Sequence, residues 1–88
     1  MSVPDGELPR TTSEEFVAEV WSEVLGIERI GVHDEFFAIG GHSVLAARVA
    51  ARFRAALDLD VPLSMLFVNT TVEQVAAALE ELLAAEAG

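Results

Sequence analysis

With 88 residues the chain has room for one small domain, and its 52% hydrophobic content, much of it Ala and Leu, suits helices packed on helices better than strands. Fifteen acidic residues against five arginines and no lysine give a formal charge of −10, which repels a phosphate backbone or an anionic bilayer and argues against nucleic acid and membrane partners. There is no cysteine, which excludes disulfides, a thiolate nucleophile and Cys-ligated metal and fits a cytoplasmic setting; with no basic or apolar run at residues 1–5 and no long apolar stretch, neither a secretory signal nor a spanning helix is expected.

Residues 1–10 hold Pro4, Gly6 and Pro9 among acidic residues and read as a flexible lead-in or linker. A folded domain is expected over 11–84 and a short C-terminal tail over 85–88. The first helix begins where two overlapping capping boxes fit, Thr11 with Glu14 and Thr12 with Glu15. Phe16, Val17, Val20, Trp21, Val24 and Leu25 then form one apolar stripe, and Gly26 is a natural stop. From Gly26 to His42 no helical or strand period persists. A connection this long is uncommon in a compact domain unless it has a function. Ile27, Ile30, Val32, Phe36, Phe37 and Ile39 supply enough apolar side chains to hold it as an ordered loop, with Asp34 capping a short turn that carries Phe36 and Phe37.

A second helix is expected from about Ser43 to Leu57, with Leu45, Val49, Phe53 and Ala56 on one face. Pro62 disfavours a helical Val61 and sets a break, after which Leu63 to Phe67 fit a short helix. Thr70 with Glu73, or Thr71 with Gln74, opens a last amphipathic helix through Val72, Val75, Ala76, Leu79, Leu82 and Leu83. The predicted fold is all-α, a four-helix bundle of three long helices and one short, with a long ordered loop between the first and second. Its core is expected to hold Val17, Trp21, Leu45, Val49, Phe53, Val75, Leu79 and the loop residue Phe37.

Little here resembles an active site. His42 and Ser43 are neighbours at a helix start and point in different directions, whereas a nucleophile and its base must face each other and be oriented by a third group. The run Gly41-His42-Ser43-Val44-Leu45 lacks the last glycine of a nucleophile elbow and has no parallel sheet to host it. His33 and His42, nine residues apart, have no third convergent ligand, so no metal site is expected. Gly40-Gly41-His42-Ser43 reads more simply as a tight turn into a helix with Ser as N-cap. It also reads as an attachment point: a phosphate ester on this hydroxyl would lie at the positive end of the second helix, and the glycines leave room for a modifying enzyme.

The stretch from Gly31 to Ala46, Gly-Val-His-Asp-Glu-Phe-Phe-Ala-Ile-Gly-Gly-His-Ser-Val-Leu-Ala, is similar, nearly residue by residue, to the thiolation motif of peptidyl carrier domains of nonribosomal peptide synthetases. The resemblance extends from about Thr11 to Leu83. It implies a four-helix fold, no enzymatic activity, and a 4'-phosphopantetheine arm from coenzyme A esterified to Ser43, flanked by Gly40, Gly41 and His42. The arm's thiol would carry an aminoacyl or peptidyl group as a thioester, and the missing cysteine then means that the chemistry comes from the cofactor. Implied partners are a phosphopantetheinyl transferase, an adenylation enzyme, and condensation, tailoring or thioesterase domains; a monomer is expected. Helical phase turns Val44, Ala47 and Ala51 away from the core, with Arg48 beside them, as a candidate docking face. Fatty-acid carriers typically have an acidic second helix and Asp before the serine; His42 and Arg48, Arg52 and Arg54 depart from that. An acyl carrier for polyketide or fatty-acid synthesis is the alternative, and a helical interaction module without an arm is the rival of another class.

Overall fold

The computed structural model describes residues 11–87, so the expected linker over 1–10 lies outside the described residues, as does Gly88. Four helices follow in order: α1 (Thr12–Leu25), α2 (Ser43–Leu57), α3 (Met65–Val68) and α4 (Val72–Ala87). The bundle of three long helices and one short is as expected; among the described residues the only β-type pairing is an isolated antiparallel bridge between Glu35 and Thr71.

The helix starts show how the sequence chooses between overlapping signals. At α1 the Thr11 hydroxyl accepts from the Glu14 amide at 3.0 Å, and Glu14 Oε1 accepts from the Thr11 amide at 3.4 Å. The Thr12–Glu15 alternative is not made, because Thr12 is already helical. At α4 the Thr71 hydroxyl accepts from the Gln74 amide at 3.2 Å, while Gln74 Oε1 accepts from the amides of Thr70 and Thr71. Each box satisfies donors that a helix end would otherwise leave unpaired. α1 ends at Gly26 in the left-handed region, φ 71°, and the Ser22 hydroxyl donates to the Ile27 carbonyl just beyond. α4 continues to Ala87, so residues 85–87 of the expected tail are helical.

The core combines Val17, Val20 and Trp21 of α1, Ala46, Val49, Ala50 and Phe53 of α2, Met65 and Leu66 of α3, and Val72, Val75, Ala76 and Leu79 of α4. Ile30, Val32 and Phe36 close it from the first loop, and Leu59 and Val61 from the segment after α2. The buried stripe of α2 is rotated from the expected one. Leu45 is only half-buried and Ala56 is exposed, whereas Ala46 and Ala50 are fully buried. Alanines on the inward face let the neighbouring helix approach closely, a role that hydrophobicity alone does not reveal.

The loop between α1 and α2 is ordered by being stitched to the start of α4. Phe36 N–H donates to the Thr70 carbonyl at 2.8 Å, Glu73 N–H donates to the Val32 carbonyl at 3.1 Å, and His33 Nδ1 lies 3.7 Å from Glu73 Oε1 at the surface. Asp34 does cap a turn, but the one behind it: its carboxylate accepts from the Gly31 amide at 2.8 Å. The expected core residue Phe37 is 39% exposed, and its neighbour Phe36, at 3%, takes the inward place. Phe36 sits edge-on to Trp21 with ring centroids 5.0 Å apart and has Gly41 against its other side. After α2, Asp58 takes a left-handed conformation (φ 51°), and Arg54 Nε donates to the Val61 carbonyl at 2.9 Å, holding the break that Pro62 imposes.

Candidate attachment site at the start of helix 2

Gly40 and Gly41 build the approach to α2 for separate reasons. Gly40 has φ 114°, a region that strains any residue with a Cβ. A Cβ on Gly41 would fall 2.6 Å from the Phe36 carbonyl oxygen and collide with the Phe36 ring. The Gly41 amide donates to that same carbonyl at 2.9 Å, closing the turn that delivers the chain to the helix.

His42, not Ser43, is the N-cap. It has extended backbone angles (φ −154°, ψ −179°), its carbonyl accepts the Ala46 amide at 2.8 Å, and its side chain makes no capping bond. Ser43 is the first helical residue and is exposed. This corrects the expectation that the serine caps the helix, and it has a chemical consequence. A capping serine has its oxygen engaged with backbone N–H groups, whereas this hydroxyl projects at the surface from a fixed turn. The first-turn amides lack intrahelical acceptors, as in any helix, and the first turn of α2 holds no acidic residue.

The residues expected to dock partners are also outward. Val44 is 61% exposed, and Ala47, Arg48 and Ala51 are exposed with it. Of the three arginines of α2, Arg52 pairs with Glu23 and Arg54 holds the Val61 carbonyl. Among the described residues Arg48 makes neither an ion pair nor a hydrogen bond. One apolar feature has no signal in the sequence: Phe37 stacks on Phe67 with centroids 5.6 Å apart and planes at 14°, both rings partly exposed, with Val68 bare beside Phe67 in the chain. Neither the irregular loop nor a four-residue helix has a period that would show which side chains turn outward.

No group of three His, Cys, Asp or Glu side chains suited to a metal occurs among the described residues. A cleft between Trp21, Phe36, Val49 and Leu66 is too tight to admit even water. No helix of the described residues is long and apolar enough to cross a membrane.

The family model for the phosphopantetheine attachment site matches residues 15–79. The chain is 45% identical over 78 residues to a linear gramicidin synthase of Brevibacillus parabrevis, covering 89% of this chain and 1% of that protein. It is 46% identical over 72 residues to a surfactin synthase of Bacillus subtilis, covering 82% of this chain and 6% of that one. A solved complex of the phosphopantetheine transferase Sfp with coenzyme A and a peptidyl carrier protein matches with TM-score 0.81 and 36% identity, over 85% of this chain and 97% of that one. The chain belongs to the phosphopantetheine attachment-site family, among its peptidyl carrier domains. It thus spans only a small part of the synthetases it resembles.

That family carries 4'-phosphopantetheine covalently, and the start of α2 fits the group. An exposed serine follows closely on two residues without side chains, the first-turn amides of α2 lack intrahelical acceptors, and no first-turn carboxylate opposes a phosphate.

Proposed function

We propose that this chain holds aminoacyl or peptidyl intermediates as thioesters on a phosphopantetheine arm at Ser43 during nonribosomal peptide assembly. The observation that carries the reading is the exposed Ser43 hydroxyl at the first residue of α2, left out of helix capping and reached through Gly40 and Gly41. In the loading reaction a bond forms between Ser43 Oγ and the phosphorus next to pantetheine in coenzyme A. The pyrophosphate bond breaks, adenosine 3',5'-bisphosphate leaves, and the hydroxyl proton passes to a base of the transferase. When bound, the group supplies the thiol that a cysteine-free chain lacks. The protein supplies placement, since a tethered thiol meets each partner at an effective concentration on the order of millimolar.

A phosphopantetheinyl transferase and an adenylation enzyme are the required partners in this reading, followed by a condensation, tailoring or thioesterase domain, in the cytoplasm and with the carrier itself monomeric. Relatives support the range: one solved neighbour is an adenylation–carrier protein with phenylalanyl-adenylate and another a thiolation–reductase di-domain. His42 before the serine and an α2 with three arginines and no acid favour amino-acid cargo over the polyketide or fatty-acid alternative. Incubation with coenzyme A and a broad-specificity transferase, followed by intact-mass measurement, tests the reading. A single phosphopantetheine increment, mapped by digestion to the peptide containing Ser43, is expected. No increment would leave the chain a plain helical interaction module.

The docking face carries its own expectation. Val44, Ala47, Arg48 and Ala51 point away from the core, so Ala47→Glu should change stability by no more than about 0.5 kcal/mol. The added charge would be desolvated in a close interface and should slow at least one partner reaction. Melting curves and loading by the adenylation enzyme, measured on arm-bearing protein, compare the two. Unchanged rates with the adenylation enzyme and with the next enzyme would return these alanines to ordinary surface helix formers.

A further inference from the structure

Five large hydrophobic side chains stand exposed among the described residues, and three of them, Phe37, Phe67 and Val68, come from two segments that the fold brings together. The bonds around them fix the pairing. Phe36 N–H donates to the Thr70 carbonyl, which holds the loop against the end of α3, and the Asn69 amide and side chain both donate to the Met65 carbonyl, which closes α3 itself. Met65 and Leu66 turn into the core, so Phe67 and Val68 are left outside. Phe36 likewise turns inward and leaves Phe37 outside, its ring perpendicular to Phe36 at 5.3 Å and stacked on Phe67 at 5.6 Å. Two rings held in this way form an apolar platform that is ordered before anything binds to it.

The platform is small. Exposures of 39%, 45% and 77% leave about 300 Å² of apolar surface, well short of the roughly 800 Å² per partner of a stable protein interface. It matches one amino-acid side chain rather than a second protein. It is also close to the candidate attachment point. The Gly41 amide on the Phe36 carbonyl folds the loop back, so the Cα atoms of Phe37 and Ser43 lie within about 15 Å of each other. A phosphopantetheine arm has about the backbone length of five residues and reaches about 17 Å. We infer that the Phe37–Phe67 stack, with Val68 at its edge, is the resting place on the domain for the apolar or aromatic side chain of an aminoacyl group carried on the arm. This rests on the carrier reading with Ser43 as the attachment point. The tether makes so small a contact effective: at an effective concentration on the order of millimolar, a contact with a dissociation constant of about 1 mM is occupied about half the time. The ammonium of an aminoacyl group adds to the fit, since a cation is attracted to a ring face and to a protein of net charge −10. A carried glycine has no side chain to lay on the rings and stays in solvent. The domain thus holds some cargoes against itself and leaves others free, ahead of any partner.

The test uses the full chain bearing a phenylalanyl arm made hydrolysis-resistant by an amide in place of the thioester, or the glycyl equivalent. Each is verified by intact mass, and the two are compared by amide and methyl chemical shifts. The phenylalanyl arm should shift the Phe37, Phe67 and Val68 signals several-fold more than the glycyl arm does, because a ring laid on rings moves their neighbours' resonances. Phe67→Ala should reduce that difference at Phe37 and Val68 to less than half. Phe67→Leu, which keeps apolar bulk on α3 and removes the ring, gives the same reading if the alanine variant melts early. Equal shifts for the two arms, or shifts confined to the start of α2, would overturn the platform and leave the carrier reading intact. Phenylalanyl-dependent shifts that persist in Phe67→Ala and Phe67→Leu would overturn it too. Slower loading of Phe67→Leu by the adenylation enzyme, with no phenylalanyl-dependent shift in the parent, would assign the patch to a partner protein instead. Absence of any mass increment would remove the carrier reading and the platform together.

Discussion

Ser43→Ala should gain no phosphopantetheine mass under conditions that convert the parent completely, and it should melt within about 0.5 kcal/mol of the unmodified parent. The first half follows from chemistry, because alanine has no oxygen to join to phosphorus. The second follows from the position of the residue. At an N-cap the loss of a serine hydroxyl would cost about 0.5–2 kcal/mol. Ser43 is instead the first helical residue, its hydroxyl makes no capping bond, and alanine has the better helix propensity. Mass spectrometry and calorimetry on the same preparation separate the two effects. An alanine variant that still acquired the group would move the site elsewhere. One that unfolded would show that the hydroxyl is structural, contrary to the geometry.

The largest loss of stability is expected at Phe53→Ala, about 3–5 kcal/mol. Phe53 is fully buried in the C-terminal half of α2, with the Phe16 ring at 5.5 Å and 37°. Truncation removes the largest side chain that α2 contributes to the core and leaves a void that small neighbours such as Ala46 and Ala50 cannot fill. For a domain of this size, whose total stability is about 5–13 kcal/mol, the loss lowers the melting midpoint by more than about 12 °C. Phe37→Ala is the matched comparison. It removes an equal ring from a partly exposed surface stack and should cost well under half as much. Equal losses at the two positions would mean that the ring pointing inward from the loop is not Phe36.

The contrast between these phenylalanines shows where the sequence is informative. The four helices, both reciprocal capping boxes, the Gly26 stop and the break before Pro62 all follow from local chemistry, in which neighbours in sequence are neighbours in space. Phe36 and Phe37 sit in a segment with no period, so which one turns inward depends on Gly41 receiving the Phe36 ring and on Thr70 accepting the Phe36 amide. These are contacts across the fold. The face of α2 differs more mildly from expectation, since Leu45 and Ala56 are more hydrophobic in sum than the Ala46 and Ala50 actually buried, and helix proximity rather than hydrophobicity decides the matter. At the proposed site, the pattern from Gly40 to Ser43 singles out the candidate serine, but the shift of the cap by one residue to His42 lies beyond it. Ser is the better cap by preference, and only the backbone angles show that the preference is not used.

The arginines of α2 have a consequence for how this molecule meets others. The protein as a whole is strongly acidic, yet its second helix bears three arginines and no carboxylate, and only Arg48 among them is not already engaged. An approaching protein meets first the field of the net negative charge, screened over about 10 Å at moderate salt, and at contact range the one unengaged positive point of α2, Arg48. Such a charge distribution acts as an orienting device. A partner with a generally basic surface is drawn in from any side, but one that also places a carboxylate next to its active-site opening is turned so that this opening faces the start of α2. Added salt would weaken the long-range attraction first and the short-range alignment last.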